Sequence, residues 1–467
     1  MTETASARPI DTITAHLTTT RFEDIDPAAI ALAKRRVLDV IGCALGGASI
    51  DGNLELLQLL RDWGGRGEAT VLGHGGRLPA HQAAFLNGIM ARSNDLEVMT
   101  FVHDGARMAS HNAGSTVPTA LALAESRGLT GKELLTGLVL GDDLVARVSL
   151  AADWNFQVGF DGIGSLVPWG TTAVAGRLIG LTQDQLRHAF GLMLNTMSGT
   201  VQDYWDGVHA FKLVQGTPAR DAIVNAELAA RGWTGNYDPL FATYGYFKLF
   251  ALGAKDPEIL TKGLGEYYYG EALFKHFPSG LPTHTPAACA LELYHEHGVR
   301  PEDIEAIEIG VSEQAMTNYY AKPWSIREWP HGDAAFSYQY ATCSALLRGH
   351  YFIDAMAEEV ITAPDINALI ARSTVGPMAA EHRWGATVTV RLKDGREVAV
   401  TRTAPPADPV TDPASDEFII DKYRRQAEHS GFLSAAAIDE LAELVLRLEE
   451  LDDVTDITRL AAAGQEG

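Results

Sequence analysis

Five Ala/Gly-rich segments with apolar residues at helical spacing fill the first half of the chain. They constrain the fold more than any other feature. Residues 26–48 carry Asp26 as a candidate N-cap, Pro27 at the first helical position and glycines at the stop. Residues 80–95, 115–149 (broken near Gly128), 169–195 and 216–235 repeat the style. Small residues on helix faces let backbones approach closely, which suits a buried central bundle. No repeat at a fixed period is evident. After about residue 268 the pattern changes. Residues 304–313 alternate as a strand does, and 385–403 read as a hairpin around Asp394-Gly395. Helical patterns at 283–298 and 334–349 fall between them. The chain turns polar past Pro405, and a helical pattern returns at about 434–450. That last helix can rejoin the first domain, which makes the α+β part an insertion. Residues 458–467 read as a frayed end.

Composition narrows the function. The 467 residues are 46% hydrophobic and 21% charged, so the chain can bury ample core. Sixty acids against 37 bases give a formal charge of −23. That argues against nucleic acid and against an anionic membrane surface as partners. Cys43, Cys289 and Cys343 lie far apart in apolar stretches, without metal-ligand spacing, and read as buried thiols in a reducing compartment. There is no secretory pattern at the N-terminus and no run of about 20 apolar residues. A soluble, cytoplasmic protein is expected.

The candidate chemistry sits in loops ahead of helices. Asp95 ends one helical run and His111 precedes the next, with Asn112, Gly114, Ser115 and Thr116 at the helix start. A histidine near a carboxylate is an oriented base with a pKa near neutral, and a free helix start favours an anion. The bare residues read also as a capped helix with a surface histidine. The Gly-rich stretch FDGIGSLVPWGTTA (160–173) offers Asp161, Gly164 and Ser165 as substrate contacts, or simply a tight turn. Lys212 and Gln215 precede another helix, with Arg220 in it. Lys275, His276 and His284 lie in a turn stiffened by Pro278 and Pro282. Tyr338 and Tyr340 open a further helix and read also as core tyrosines. A metal site from His111, His276 and His284 lacks a two-ligand motif to anchor it, so no metal is expected. Together these loops suit a pocket for a small carboxylate.

Six stretches, in order, carry a resemblance. They are VLDVIGCALGG, NGIMARSNDLE followed by SHNAGSTVPTALALAE, GTTAVAGRLIGLT, GTPARDAIVNAELAARGWTG, FKHFPSGLPTH and DAAFSYQYATCSALL. On these the chain resembles the MmgE/PrpD family of 2-methylcitrate dehydratases, cis-aconitate decarboxylases and iminodisuccinate epimerases. The resemblance implies a mainly α fold: a large all-helical domain (1–268 with 404–467) and an inserted, smaller α+β lid domain (269–403). It also implies a homodimer that uses no cofactor. By position, the retained site residues are Asp95, His111, Lys275, His284 and Tyr340. Glu97 keeps an acid. Val98 and Met99 depart from the family's acidic loop, and Asp161 stands where a histidine is usual. Phe211 falls at a lysine position, with Lys212 one place later, and Val214 falls at a histidine position. An added anion at 161 repels a tricarboxylate unless it meets a cation. A substrate with fewer carboxylates, or one bearing an amine, fits better.

The expected activity is a lyase, dehydratase- or decarboxylase-like. His111, oriented by Asp95, moves the proton at the carbon next to a carboxylate. Lys275 and a helix start hold that carboxylate, and Tyr340 or Lys212 supplies the acid. His284, Asp161, Gly164, Ser165 and Gln215 complete the pocket. One alternative is an epimerase or isomerase using the same carbanion. Another is a degenerate dimer that only binds a metabolite.

Overall fold

The computed structural model describes residues 8–102, 107–152, 159–378 and 383–462. The chain is mainly α, with a smaller α+β domain. The expected helices form. Pro27–Gly47 starts where the Asp26 carboxylate accepts the Ala28 N–H (2.9 Å). Ala80–Arg92, Ala113–Arg127, Gly131–Ala151, Val167–Ile179, Gln183–Met193 and Leu213–Ala230 follow. The break near Gly128 is real: that residue has φ 60° and ends the Ala113–Arg127 helix.

Glycines set how closely these helices pack. A Cβ on Gly216 would lie 2.5 Å from the Phe85 carbonyl, and one on Gly114 2.8 Å from the Gln215 side chain. A Cβ on Gly47 would lie 2.0 Å from the Met90 carbonyl. The Pro27–Gly47 and Ala80–Arg92 helices therefore touch backbone to backbone just before Ser93.

Two short sheets decorate the helical part. β1 (Ala69–Thr70) pairs with β2 (Arg77–Leu78). β3 (Met99–Val102), β4 (Arg107–Ser110) and β5 (Glu271–Leu273) form an antiparallel sheet in the order β4-β3-β5. The α+β domain holds a four-stranded sheet ordered β7-β6-β8-β9, made of Ile304–Val311 (β6), Ser373–Pro377 (β7), Ala386–Leu392 (β8) and Glu397–Arg402 (β9). β8 and β9 are the expected hairpin, turning at Gly395 with φ 88°. Helices His284–His295 and Tyr338–Arg348 pack beside this sheet. There are two main hydrophobic cores. The larger joins the helices up to about residue 274 with Ile419–Ala461 of the C-terminal segment. The other lies within residues 277–400 and admits Tyr204 and Phe211 from the helical part.

Two expectations near the C-terminus need correction. Helix Asp416–Ser430 stands where the chain was read as merely polar. It packs on the Pro27–Gly47 helix and buries Ile419, Lys422, Tyr423, Gln426 and Ala427. Residues Thr455–Leu460 form a helix with Ile457 buried, not a frayed end, while 463–467 lie outside the described residues. Among the described residues no helix is long and apolar enough to cross a membrane.

Candidate active site

The β4-β3-β5 sheet gathers the chemistry. β3 pairs antiparallel with β5 through Met99↔Leu273, and Glu97 and Lys275 each lie two residues beyond that last pair, at the same end of the sheet. β3 pairs with β4 through Thr100↔Ser110, and His111 follows at once. Three segments distant in sequence thus leave one end of a small sheet together. The stretch from Ser93 to Ser110 is therefore partly an antiparallel strand pair rather than a plain loop, and residues 103–106 lie outside the described residues.

The side chains meet in a buried network. The His111 Nδ1–H donates to Glu97 Oε1 at 2.8 Å. Lys275 Nζ donates to Asp95 Oδ1 (2.9 Å) and to the Asp95 carbonyl (2.7 Å). Arg92 Nη1 bridges Asp95 and Glu97, and Arg92 Nη2 donates to the Tyr204 hydroxyl at 3.1 Å. The Arg92 guanidinium also lies 5.3 Å from the centre of the Phe211 ring. Asp95 itself has φ 48°, a left-handed conformation rare for a residue with a Cβ. Such strain persists only where surrounding bonds hold it, as Arg92 and Lys275 do here.

The charges sort the roles. Burial favours the neutral form of Glu97, but Arg92, His111 and Lys275 hold its carboxyl well below the usual range. Burial, aided by Arg92 and Lys275, lowers the His111 pKa against the pull of Glu97. His111 is therefore neutral at neutral pH. Its Nδ1–H is committed to Glu97, so Nε2 carries the free lone pair. Burial also lowers the Lys275 pKa, although Asp95 and Glu97 oppose it. This is an oriented neutral imidazole beside two cations, an arrangement that can take a proton where negative charge then develops.

Asp95, Glu97 and His111 have ligand atoms within 4.8 Å of one another, close enough for a metal ion. However, the Arg92 guanidinium already lies between the two carboxylates and Lys275 binds one of them. A divalent ion would have to displace both cations, so this donor set does not fit one.

The remaining predicted residues fall into three groups. His284 is close: its Nε2–H donates to the Ser279 carbonyl (3.2 Å), its buried Nδ1 has no partner among the described residues, and burial and then Lys275 lower its pKa well below the ordinary value. Asp161 is also close. It caps the Ile163 N–H (2.6 Å), and its charge acts on both Arg92 and Tyr204. Burial and then Asp161 push the Tyr204 phenol well above its usual pKa, so this added anion meets a phenol and a guanidinium. Gln215 supports the site from behind, donating to the His111 carbonyl (2.9 Å) and to Ser115 Oγ (2.7 Å).

A second group has structural work instead. Ser165 Oγ donates to the Asp161 carbonyl. Gly164 allows the Ser198 carbonyl to approach within 1.7 Å of where a Cβ would be. Val214 lies in a small apolar cluster with Ile163 and Val167, and Val98 and Met99 are buried. The Asn112 and Thr116 side chains bond to Asp142, and Ser115 Oγ to the Gln215 carbonyl, so these side chains are engaged within the protein.

The third group is not brought to the cluster. Tyr340 donates its hydroxyl to the Ala355 carbonyl and stacks on Trp324 in the α+β core. Lys212 donates to the Asp51 carbonyl (2.5 Å) and Asn53 Oδ1 (3.0 Å). Burial brings its pKa down to about 8, but it is not a partner of His111. Neither supplies the expected acid in this geometry. Nor does Asp95 orient His111; Glu97 does.

Sequence reasoning missed Arg92 as the central cation and Tyr204 as its partner. Tyr204 also walls a cleft of about 250 Å³ whose lining includes Trp205, Tyr319, Lys322, Arg327 and Phe336. Tyr204 and Tyr319 stack at 5.3 Å with rings 10° apart, between that cleft and the Arg92 network.

Comparison with known proteins places this architecture. The MmgE/PrpD N-terminal domain matches residues 11–259 and the MmgE/PrpD C-terminal domain matches 277–449. The chain belongs to the MmgE/PrpD family. Among curated relatives, human cis-aconitate decarboxylase is 26% identical over 451 residues, covering 92% of this chain and 90% of that protein. Cis-aconitate decarboxylase of Aspergillus terreus (strain NIH 2624 / FGSC A1156) is 24% identical, with 94% and 92% covered. The 2-methylcitrate dehydratase of Cupriavidus necator is 25% identical over 376 residues, covering 76% and 75%. At position 211, where the MmgE/PrpD resemblance expects lysine, the Phe211 ring packs on Arg92. Arg92 supplies a cation that this position does not.

Proposed function

We propose that this protein is a lyase, dehydratase- or decarboxylase-like, acting on a small carboxylate by proton transfer at the carbon next to the carboxylate. The observation that carries the reading is the Glu97–His111 pair beside the Asp95–Lys275 and Arg92 ion pairs. His111 Nε2 takes the proton. The electron pair left on carbon passes into the adjacent carboxylate, whose growing charge Lys275 and Arg92 stabilise. A β-hydroxyl then leaves as water, taking back the proton that His111 holds, as the double bond forms. For a decarboxylation, the C–C bond to carbon dioxide breaks instead, its electron pair stays on the carbon, and that carbon takes a proton from a His111 that has first been protonated from solvent. The side chains alone supply these steps. Support comes also from relatives named as a decarboxylase and a dehydratase.

Epimerisation stays the second reading for one reason. Lys275, held by Asp95, which shares Arg92 with the Glu97 that binds His111, is a second proton-transfer group that can return the proton from another side. Proton NMR in deuterium oxide with citrate, methylcitrate, cis-aconitate, malate and aspartate-derived imines separates the readings. A new alkene or lost carboxylate marks the lyase; C–H exchange without elimination marks the isomerase. A cytoplasmic homodimer completes the proposal. Exposed Trp233, Tyr237, Tyr244 and Leu252 are apolar surface for a partner, and light scattering should give twice the chain mass.

A further inference from the structure

We infer that Lys422 and Asp39, far from the site in sequence, form a positioning pair that sets Glu97 and through it His111. The inference rests on the reading of His111 as the base. Lys422 lies on the C-terminal Asp416–Ser430 helix, and Asp39 on Pro27–Gly47. Their ion pair is 2.6 Å long, with both side chains at most 2% exposed. Lys422 Nζ also donates to the Leu96 carbonyl (2.7 Å). Asp39 uses its other oxygen to accept the Val98 N–H (2.8 Å). Leu96 and Val98 flank Glu97. One ion pair therefore grips the backbone on both sides of the residue that orients the base.

The loop needs such a grip. It begins at Asp95, in its left-handed conformation, and Leu96 and Val98 lie outside the helices and strands. A buried ion pair is a poor way to gain stability, since apolar residues of similar volume often do as well. Fixing one geometry is the better-founded role for it here. Neither Lys422 nor Asp39 bonds to His111, Arg92 or Lys275, so the pair acts through the backbone and not on substrate. The C-terminal segment, which rejoins the helical part after the α+β domain, would then complete the site as well as the core.

The test is the double variant Asp39→Asn/Lys422→Met, which removes both charges together. His111 is titrated by NMR of ¹³C-labelled histidine, its signal identified by loss in His111→Ala. Turnover is followed as proton exchange on whichever panel substrate the wild type accepts. With the fold retained by circular dichroism, the His111 pKa should fall by about one unit or more as Glu97 loses its placement. The kcat should fall about ten-fold with KM little changed, and Lys422→Arg, which keeps the pair, should recover part of it. A folded double variant with the wild-type His111 pKa and kcat would overturn the inference. If the double variant does not fold, Asp39→Asn alone is judged by the same two readouts. The His111 titration needs no substrate, so it decides the positioning role even if His111→Ala proves that His111 is not the base.

Discussion

His111 differs from its neighbours in one respect. Its side chain keeps 12% exposure, while Glu97, Asp95 and Lys275 keep 2% or less. It is the most exposed of these four residues, and its neighbours set its state. Glu97→Gln tests this. The Glu97 carboxylate raises the His111 pKa, so its removal lowers it. The acid limb of the rate profile, where His111 gains a proton and stops acting as base, should move about one unit to lower pH, with a lower plateau. His111→Ala should cost a factor of about 100 to 10,000 in proton exchange. Asp95, His111 and Lys275 were legible in the sequence because charged residues in short loops before apolar helices have little structural reason to be there. Arg92 was not, because an arginine ending an amphipathic helix normally reaches water. Only the fold shows it turned inward. Tyr340 misled for the opposite reason: a tyrosine opening a helix suits a pocket as well as it suits a core.

At the level of elements, the long helices were legible because they keep a 3.6-residue period over many turns. Strands β3 and β5 have four and three residues, too few to show alternation, so the sheet that assembles the site could not be read. The Asp416–Ser430 helix was hidden by its charged face, which outweighs a thin buried stripe of Ile419, Tyr423 and Ala427. Helix contacts lead directly to the site. Gly47 meets the Met90 carbonyl one turn before Asp95. Gly47→Ala should therefore push the Ala80–Arg92 helix away, lower stability by about 1–3 kcal/mol and reduce activity. Chemical denaturation checks the first effect and the exchange assay the second.

At the level of the molecule, the two cores support a proposed division into a helical domain (1–268 with 404–467) and an inserted α+β domain (269–403). Contacts between these parts carry two histidines, His331 buried and His276 half-buried. The His276 ring stacks on Phe418 at 3.9 Å, and His331 Nε2 donates to the Ser93 carbonyl at 3.1 Å. Burial brings both down to about 4 from an ordinary 6.5. Their folded values lie below the unfolded ones, so their contribution is intact above about pH 6.5 and is lost as pH falls toward 4. Thermal unfolding across that range should show a falling melting temperature. In His276→Phe/His331→Phe the slope should be shallower. The division of labour proposed for the site is tested most directly by proton NMR in deuterium oxide, comparing wild type with His111→Ala across the carboxylate panel. The wild type should give a product whose formation incorporates or releases deuterium at the carbon next to a carboxylate, and His111→Ala should not. Turnover unchanged in a folded His111→Ala protein would contradict it.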